Sequence, residues 1–357
     1  MKKQLTIAVT GLNNIDSPGP GIPVIRCLRD SPDFDVRIIG LSYETLEPGL
    51  YMHDLVDHSY QIPFPKAGAE VLYKRLEYIN SIEEIDFVFP NFDAELFNFI
   101  KIEKRLNNLG IRTSLPTLEQ FEARHKVNLE EYGEKYGMLV PHSKMLFSVT
   151  EIPSIAKEFT YPVVVKGQFY DAAIAYNEEQ VVTHFNKTAA KWGVPIIIQQ
   201  FVYGTEVNLV AAGDGNGNAL GMVPMRKQYI TDKGKAWAGV SIDDKGLINA
   251  ATDLIKATKW NGGMELEYIK TSDDEYYLLE INPRIPAWIY LAVGCGQNLP
   301  ASIVQLAMGE NVEPYTDYTV GKMFIRYSYD LIVDMKEFEE ISTTGELGSK
   351  SRSMDLQ

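Results

Sequence analysis

Oxygen-bearing side chains recur in two short stretches near residue 270, and their spacing could hold a divalent cation. Glu267 lies in the first stretch, and Glu280 and Asn282 lie in the second. Both stretches alternate apolar and polar residues, the pattern of half-buried strands, so the polar run between them predicts an antiparallel hairpin. The numbers of facing residues have a constant sum in such a pair, and a turn centred on Asp273 and Asp274 therefore places Glu267 opposite Glu280.

Two facing carboxylates repel each other unless a cation lies between them. Asn282 projects from the same face as Glu280 and adds a neutral oxygen, while Pro283 ends the ladder before Arg284. A hard-oxygen site of this kind, open on one side, suits Mg²⁺ when phosphates complete its coordination. A solvated acidic face is the alternative interpretation of a lone Glu-x-Glu hairpin.

The run from Glu280 to Arg284 resembles the metal-binding end of the ATP-grasp superfamily, in the branch similar to carbamoyl-phosphate synthase and biotin carboxylase. In that branch an acidic or amide residue on the first strand, with Glu and Asn on the second, holds the metal against ATP. The resemblance implies that Glu267, Glu280 and Asn282 bind Mg²⁺ or Mn²⁺. It also implies an α/β and α+β chain in which an ATP-grasp fold follows a Rossmann-like parallel α/β domain.

Composition limits the classes of partner. The net charge of −14 over 357 residues and the pI near 4.9 argue against nucleic acid as the main partner, because phosphate backbones need a basic surface. Cys27 and Cys295 lack CxxC spacing, so we expect two buried thiols without a disulfide or zinc. No apolar run has the length of a signal peptide or membrane helix, which favours the cytoplasm.

Residues 5–115 alternate predicted strands and helices, which indicates a parallel α/β sheet. The predicted strands are 5–10, 36–41, 55–60, 87–89 and 111–113, and the predicted helices are 22–30, 68–80 and 93–108. Ligands of such sheets gather beyond the carboxyl ends of the strands. The glycine-rich stretch Gly11–Gly21 there is interpreted either as an anion site or as a tight structural turn. In the stretch Pro90–Glu95, Asp93 is expected to cap a helix, with substrate contact as the second interpretation.

Two lysines are ordinary surface residues in isolation. Lys126 falls within a predicted helix over 117–136, and Lys166 ends the predicted strand 161–166. The resemblance implies that both bind ATP phosphates, since family members carry one lysine before the small subdomain and one at the end of such a strand. The family's glycine-rich flap follows the second lysine, but the stretch 167–173 has one glycine and two alanines, which puts the shielding of an intermediate in doubt.

The strand predicted over 194–202 resembles the family's interdomain hinge. The resemblance implies that Gln200, Phe201 and Val202 contact adenine through backbone groups and apolar walls. Glu206, in a run similar to the family's Gly-x-Glu, would contact the ribose of the nucleotide or the region of the metal. A core strand and a hairpin turning at 214–217 are compatible with this role.

The rest of the chain is predicted from local pattern. A glycine-punctuated loop over 233–239 is interpreted as movable. Helices are expected over 246–258, with a stop at 261–263, and over 286–293 and 299–308, with a strand over 322–333. The proposed domains are 1–115 (α/β domain), 116–203 (small lid subdomain), 204–341 (large subdomain with the metal site) and 342–357 (disordered tail).

These residues favour an ATP-dependent ligase that activates a carboxylate as an acyl phosphate and passes it to an amine or another nucleophile. Arg284 would steady the transferring phosphoryl group or the acyl oxyanion, and Arg226 or Lys227 the incoming carboxylate. The partners would be small-molecule substrates, with a peptide among the candidates, and the resemblance implies a homodimer. Two alternatives stay open: activation of bicarbonate or carbamate, and a non-catalytic nucleotide-binding protein, which the altered flap favours.

Overall fold

The computed structural model describes residues 3–13, 18–168, 171–231, 234–328 and 330–348. The strands are β1 (Lys3–Val9), β2 (Phe34–Ser42), β3 (His58–Gln61), β4 (Phe87–Phe89), β5 (Ser143–Leu146), β6 (Val163–Lys166), β7 (Ala172–Ala175), β8 (Ile196–Gln200), β9 (Thr205–Asp214), β10 (Ala219–Ile230), β11 (Ala236–Ser241), β12 (Asn261–Lys270), β13 (Tyr276–Asn282), β14 (Met323–Ile325) and β15 (Glu346–Gly348). The α-helices are α1 (Gly21–Arg29), α2 (Ala69–Glu83), α3 (Asp93–Asn108), α4 (Leu118–Ala123), α5 (Leu129–Tyr136), α6 (Ile155–Glu158), α7 (Glu178–Trp192), α8 (Lys245–Thr258), α9 (Tyr290–Gly294), α10 (Leu299–Ala307) and α11 (Met335–Thr344).

The N-terminal sheet has the strand order β15-β3-β2-β1-β4, and its first four strands in sequence are parallel. Alternate residues of β1 enter different cores: Ile7 packs on the side of α1, and Ala8 on the side of α2 and α3. Burial on both faces explains why these strands are almost continuously apolar. The predicted parallel α/β sheet is therefore confirmed, although residues 111–113 form only a single bridge, from Arg112 to Phe87.

The second sheet is antiparallel, with the order β5-β8-β6-β7, and α7 covers one of its faces. Val163 and Val165 of β6 point into the core beneath that helix. Because side chains alternate along a strand, Lys166 projects from the opposite face.

The third sheet is also antiparallel, with the order β13-β12-β9-β10-β11-β14. One face packs on α8 and α5 through residues such as Leu209, Leu266 and Tyr132. On the other face Val210, Val223 and Met225 belong to the same hydrophobic core as Ile7 of β1, so the third sheet packs against the N-terminal unit, which consists of the N-terminal sheet and its helices. That second face also carries Glu206 and Glu267, so it positions the candidate site.

Tertiary contacts change several predicted elements. The helix predicted over 117–136 is two helices, because His125 is extended and Lys126–Asn128 forms a 3-10 turn. Helix α8 ends at Thr258 and is followed by Lys259, whose φ is 51°, and residues 261–263 already belong to β12. The predicted strand 322–333 is only the three residues of β14, and the helix predicted over 286–293 begins at Tyr290.

The tail predicted to be disordered is partly ordered. Residues 342–344 end α11, and β15 pairs antiparallel with β3, with Glu346 opposite Tyr60. Leu347 is buried in the N-terminal core, which compensates for the polar composition of this segment. Residues 349–357 lie outside the described residues, and the boundaries of the remaining predicted domains stay predictions. Within the described ranges, no helix is both long and apolar enough to cross a membrane.

Candidate active site

The hairpin of β12 and β13 places Glu267 directly opposite Glu280, as predicted. The register near the turn, with Lys270 opposite Tyr276, differs by one residue from the predicted register. A β-bulge between Glu267 and Tyr268 restores the predicted pairing beyond it. The facing pair is therefore confirmed, but the bulge produces it together with the turn.

Each of the two carboxylates has a lysine partner. Lys126 Nζ lies 3.2 Å from Glu280 Oε1, and Lys227 Nζ lies 3.7 Å from Glu267 Oε2 while also bonding Glu206. Burial raises the pKa of Glu280, although Lys126 opposes this. Burial lowers the pKa of Lys227, but the carboxylates of Glu267, Glu206 and Glu265 together outweigh burial and leave that pKa above its ordinary value. If a divalent cation bound the two carboxylates, Lys126 and Lys227 could bind phosphates instead.

The donor set fits a magnesium ion that shares its coordination with a nucleotide. Glu267, Glu280 and Asn282 supply hard oxygens, and Asn282 Nδ2 already faces Glu265 and Glu267 at 3.1 and 3.3 Å, which leaves its Oδ1 free of these contacts. Within the described ranges, no three Asp, Glu, His or Cys side chains form a metal-holding group by themselves. Phosphate oxygens would therefore have to complete the shell.

Asn208 is a polar residue of this face that the sequence analysis did not assign. It lies on β9 opposite Glu267 of β12 and Met225 of β10, and it is fully buried. Neither its Oδ1 nor its Nδ2 has a hydrogen-bond partner among the described residues. Its spacing of two residues from Glu206 indicated in the sequence that both lie on one face of the strand, but only the structure shows that the amide has no partner among the described residues.

We expect Asn208→Leu to stabilise the protein without nucleotide and to weaken Mg·ATP binding. A buried amide without a partner costs about 1–3 kcal/mol, and leucine removes that cost together with the ligand contact. Urea unfolding and calorimetry measure the two effects. Asn98→Leu is the matched control, because Asn98 is buried but donates to Pro65 O at 2.8 Å, so leucine should destabilise there. Destabilisation at Asn208 with unchanged ATP affinity would make it a structural residue.

Lys166 faces this site from the second sheet. Its Nζ donates to Gln199 Oε1 at 2.7 Å, and no carboxylate of the described chain lies within ion-pair distance of it. Burial and, next, the positive charge of Lys126 lower the pKa of Lys166 to about 8. A half-buried lysine that forms no ion pair with the described residues can accept an anion at low cost.

The predicted hinge follows β8. Gln200 pairs with His142 through its backbone N–H at 2.8 Å and its side-chain oxygen at 3.3 Å. Phe201 and Val202 lie just beyond the strand and are half-buried, and the Phe201 ring meets the edge of Tyr203 at 4.8 Å. Neither residue's backbone bonds to another described residue, so these groups are available to a base.

Arg284 connects the hairpin to the N-terminal unit. Its Nε lies 3.0 Å from Asp93 Oδ2, and its Nη1 lies 3.5 Å from Glu265 Oε2. Asp93 Oδ1 also lies 3.5 Å from Arg124 Nη2. The prediction that Asp93 caps α3 is wrong, because Asp93 is the first residue of the helix and Phe92 occupies the N-cap position. Glu95 takes that role and accepts the N–H groups of residues 91 and 92.

Glu265 is a third carboxylate that the sequence analysis left unassigned. It is buried opposite Asn282 and accepts Trp288 Nε1–H at 2.6 Å. Burial and, next, the negative charge of Glu267 raise the pKa of Glu265 to about 7. Its alternation with Glu267 was visible in the sequence, but its burial was not.

Other predicted features are only partly placed. Arg226 is exposed and, by strand alternation, points away from the face of Lys227, so the structure does not bring it to the site. Residues 236–239 of the loop predicted to move belong to β11, while Lys233 lies outside the described residues.

The two glycine-containing stretches are also incomplete, because residues 14–17 and 169–170 lie outside the described residues. Gly21 N donates to Gly11 O, and a Cβ on Gly21 would lie 2.2 Å from Thr10 O. This crowding favours the tight structural turn. In the flap, Gly167 N bonds Asp171 O at 3.1 Å.

The ATP-grasp fold is defined here by three parts. These are a parallel α/β unit, a small antiparallel sheet that carries a lysine, and a larger sheet that carries the carboxylate hairpin. The resemblance to that superfamily is confirmed. A family model described as ATP-grasp in the biosynthetic pathway with Ter operon matches residues 193–327. The carbamoyl phosphate synthase large chain of Agathobacter rectalis is 22% identical over 299 residues, which cover 76% of this chain but only 27% of that protein.

Solved structures share the fold at low sequence identity. The biotin carboxylase of Campylobacter jejuni, in complex with βγ-ATP, has a TM-score of 0.69 at 15% identity and covers 89% of this chain and 74% of its own. The biotin carboxylase domain dimer of Hydrogenobacter thermophilus 2-oxoglutarate carboxylase, with MgADP and bicarbonate, has a TM-score of 0.67 at 17% identity. The match covers 89% of this chain and 73% of that chain. Staphylococcus aureus N5-carboxyaminoimidazole synthetase with ADP has a TM-score of 0.66 at 13% identity. The match covers 90% of this chain and 81% of that chain.

Proposed function

We propose that the chain is an ATP- and Mg²⁺-dependent ligase that activates a carboxylate as an acyl phosphate for attack by an amine or another nucleophile. One observation carries the proposal: the facing carboxylates Glu267 and Glu280 lie on one sheet, and Lys166, a half-buried lysine with no ion pair to a described residue, approaches from another. Lys166 lies close enough for its pKa to respond to Lys126, Glu280, Glu267 and Glu206. This is a site for a polyanion and its cation.

The nucleotide would lie between the second and third sheets. Backbone groups of Phe201 and Val202 would pair with adenine, with Gln200 beside them, and Glu206 would serve the ribose or metal region. Lys126 and Lys166 would hold the phosphates. Glu267, Glu280 and Asn282 would hold Mg²⁺, which neutralises charge on the phosphates and aligns them for transfer.

The reaction would proceed in two steps. A substrate carboxylate oxygen forms a bond to the γ-phosphorus while the bond from that phosphorus to the β–γ bridging oxygen breaks, which releases ADP. The nucleophile then attacks the acyl carbon, phosphate leaves, and the attacking amine loses a proton. Arg284 would stabilise the phosphoryl group or acyl oxyanion, and Lys227 the incoming carboxylate. The exposure of Arg226 makes Lys227 the better candidate of the predicted pair.

The similar proteins support the class of reaction and leave the substrate open. They include a carbamoyl phosphate synthase, a biotin carboxylase and a carboxyaminoimidazole synthetase, and one was solved as a dimer. By analogy we propose small-molecule substrates and a homodimer, with action in the cytoplasm. A peptide as carboxylate or nucleophile belongs to the same proposal.

A coupled assay of ADP release against amino acids, small acids, short peptides and bicarbonate tests the proposal. We expect release that requires Mg²⁺, ATP rather than GTP, and one carboxylate, with an acyl phosphate that hydroxylamine traps. Glu280→Gln should abolish the release. A signal with bicarbonate alone would favour the carbamoyl-phosphate-like alternative. Tight Mg·ATP binding without any carboxylate-dependent release would identify a non-catalytic nucleotide-binding protein.

A further inference from the structure

Glu265 lies behind the candidate metal ligands and faces Asn282 across the hairpin of β12 and β13. Its side chain is buried, and its two oxygens receive donors from one short stretch of the chain. Trp288 Nε1 lies 2.6 Å from Oε1, whereas Asn282 Nδ2 and Arg284 Nη1 lie 3.1 and 3.5 Å from Oε2. The carboxylate therefore contacts both the amide that is a candidate ligand of the cation and the arginine beside it.

The indole of Trp288 fixes which oxygen of Glu265 faces the site. Trp288 is buried in the hydrophobic core that the third sheet shares with the N-terminal unit, so close packing holds its ring in place. An indole Nε1–H can only donate, and it donates to Oε1. The other oxygen, Oε2, is thus held toward Asn282 as an acceptor.

This arrangement selects one of the two orientations of the Asn282 amide. Its Nδ2 points at Glu265 Oε2, and also at Glu267 Oε1 at 3.3 Å, so Oδ1 lies at the other end of the amide group. The reversed amide would bring Oδ1 against a carboxylate oxygen, and two acceptors form no hydrogen bond. Because Mg²⁺ takes oxygen ligands, only the observed orientation presents a ligand.

We propose that Glu265 is a positioning residue of the metal site, which holds the Asn282 amide with its oxygen toward the cation. Glu267 also accepts from this amide, but it is itself a candidate ligand, so Glu265 is the acceptor that remains once a cation binds. The assignment of Asn282 as a ligand rests on the proposed function. Loss of a group that orients a metal ligand typically costs about 10- to 100-fold in metal affinity.

Glu265→Gln tests the proposal, because it keeps the size of the side chain and changes the group that Asn282 faces. With its oxygen still accepting from Trp288 Nε1–H, the glutamine would turn its NH₂ group toward Asn282 Nδ2, and the Asn282 amide would have to reverse. Mn²⁺ binding in the presence of ADP, measured by electron paramagnetic resonance, reports the ligands without turnover. We expect the affinity for Mn²⁺ to fall about 10- to 100-fold, with ADP affinity in EDTA unchanged.

A second substitution separates the orientation of the amide from the loss of charge. In the double variant Glu265→Gln, Trp288→Phe the indole donor is gone, so the glutamine can turn its oxygen to Asn282. Affinity for Mn²⁺ should then recover about tenfold relative to Glu265→Gln. The melting temperature should fall further, because phenylalanine leaves a cavity and the glutamine NH₂ group loses its partner. A purely structural role of Glu265 predicts the opposite order of affinities.

Glu83→Gln is the matched control, because Glu83 is also buried but contacts Arg37 and Tyr60 in the N-terminal unit. It should lower the melting temperature and leave the affinity for Mn²⁺ unchanged. An unchanged affinity in Glu265→Gln would overturn the proposal. A double variant that binds Mn²⁺ no better than Glu265→Gln would overturn it as well.

Asn282→Asp supplies a second comparison that does not require Glu265→Gln to be stable alone. An aspartate presents an oxygen whichever way it turns, and the glutamine NH₂ group can donate to it. Adding Glu265→Gln to Asn282→Asp should therefore not weaken Mn²⁺ binding, and a loss of about tenfold or more there would contradict the proposal. Because Mn²⁺ binding needs no carboxylate substrate, a failed ADP assay would refute the ligase activity and leave the positioning role. Absence of Mn²⁺ binding by the wild type with ADP would refute both.

Discussion

The double variant Glu267→Gln, Glu280→Gln is expected to lose turnover and the Mg²⁺ dependence of ATP binding. Two unit charges 5 Å apart at an effective dielectric constant of 20 interact by roughly 3 kcal/mol, so the carboxylates should oppose the triphosphate until a divalent cation bridges them. Neutral amides remove both the repulsion and the ligand charge. Calorimetric titration with ATP, with and without Mg²⁺, measures the difference between the two proteins.

In EDTA the double variant should bind ATP at least as well as the wild type. The structure strengthens this expectation, because Lys126 would lose its ion pair with Glu280 and Lys227 its ion pair with Glu267, although Lys227 keeps Glu206. It also changes the expectation for stability. Repulsion alone predicts an equal or higher stability, but both carboxylates are paired with lysines, so we expect little gain.

Glu275→Gln is the control for this experiment, because it removes an exposed carboxylate from the turn of the same hairpin. It should leave both ATP affinity and its Mg²⁺ dependence unchanged. If the double variant keeps the wild-type dependence on Mg²⁺, the two glutamates are a solvated acidic face and the metal binds elsewhere.

Lys166→Met is expected to weaken ATP binding roughly tenfold or more, because a charge-assisted hydrogen bond to phosphate contributes about 1.5–3 kcal/mol. The melting temperature of the protein without ATP should not fall. The folded pKa of Lys166, about 8, lies below its ordinary value of 10.5, so the unfolded chain binds more protons between these values. This lysine therefore destabilises the folded state below pH 8, and methionine removes that penalty.

The same shift predicts a pH dependence of ATP binding. A bound triphosphate should raise the pKa of Lys166, so wild-type affinity should fall as the pH rises above about 8. Lys166→Met should lack this component. Calorimetry at several pH values measures it, and Lys144→Met, a lysine of the same sheet paired with Glu158, is the control. Equal ATP affinities for wild type and Lys166→Met would refute the phosphate contact.

The sequence by itself determined the elements whose information is local. Alternation and a polar turn predicted the hairpin and the facing pair Glu267 and Glu280, although a β-bulge restores that pairing, and a β-branched run placed Lys166 at the end of a strand. The parallel α/β sheet followed in the same way from alternating strands and helices, whereas the ATP-grasp fold was implied by the resemblance of one short motif to that superfamily. Periodicity and turn chemistry act over a few residues, so a single sequence carries them.

Only the tertiary structure decided which side chains form ion pairs and which are buried. Asp93 pairs with Arg284, 191 residues away, instead of capping its helix, and the helix around Lys126 breaks where that lysine meets Glu280. The amide of Asn208, which has no hydrogen-bond partner among the described residues, likewise depends on which distant segments cover it. Burial and ion pairing are set by contacts between remote parts of the chain, and these contacts override local propensity without leaving a periodic signal in the sequence.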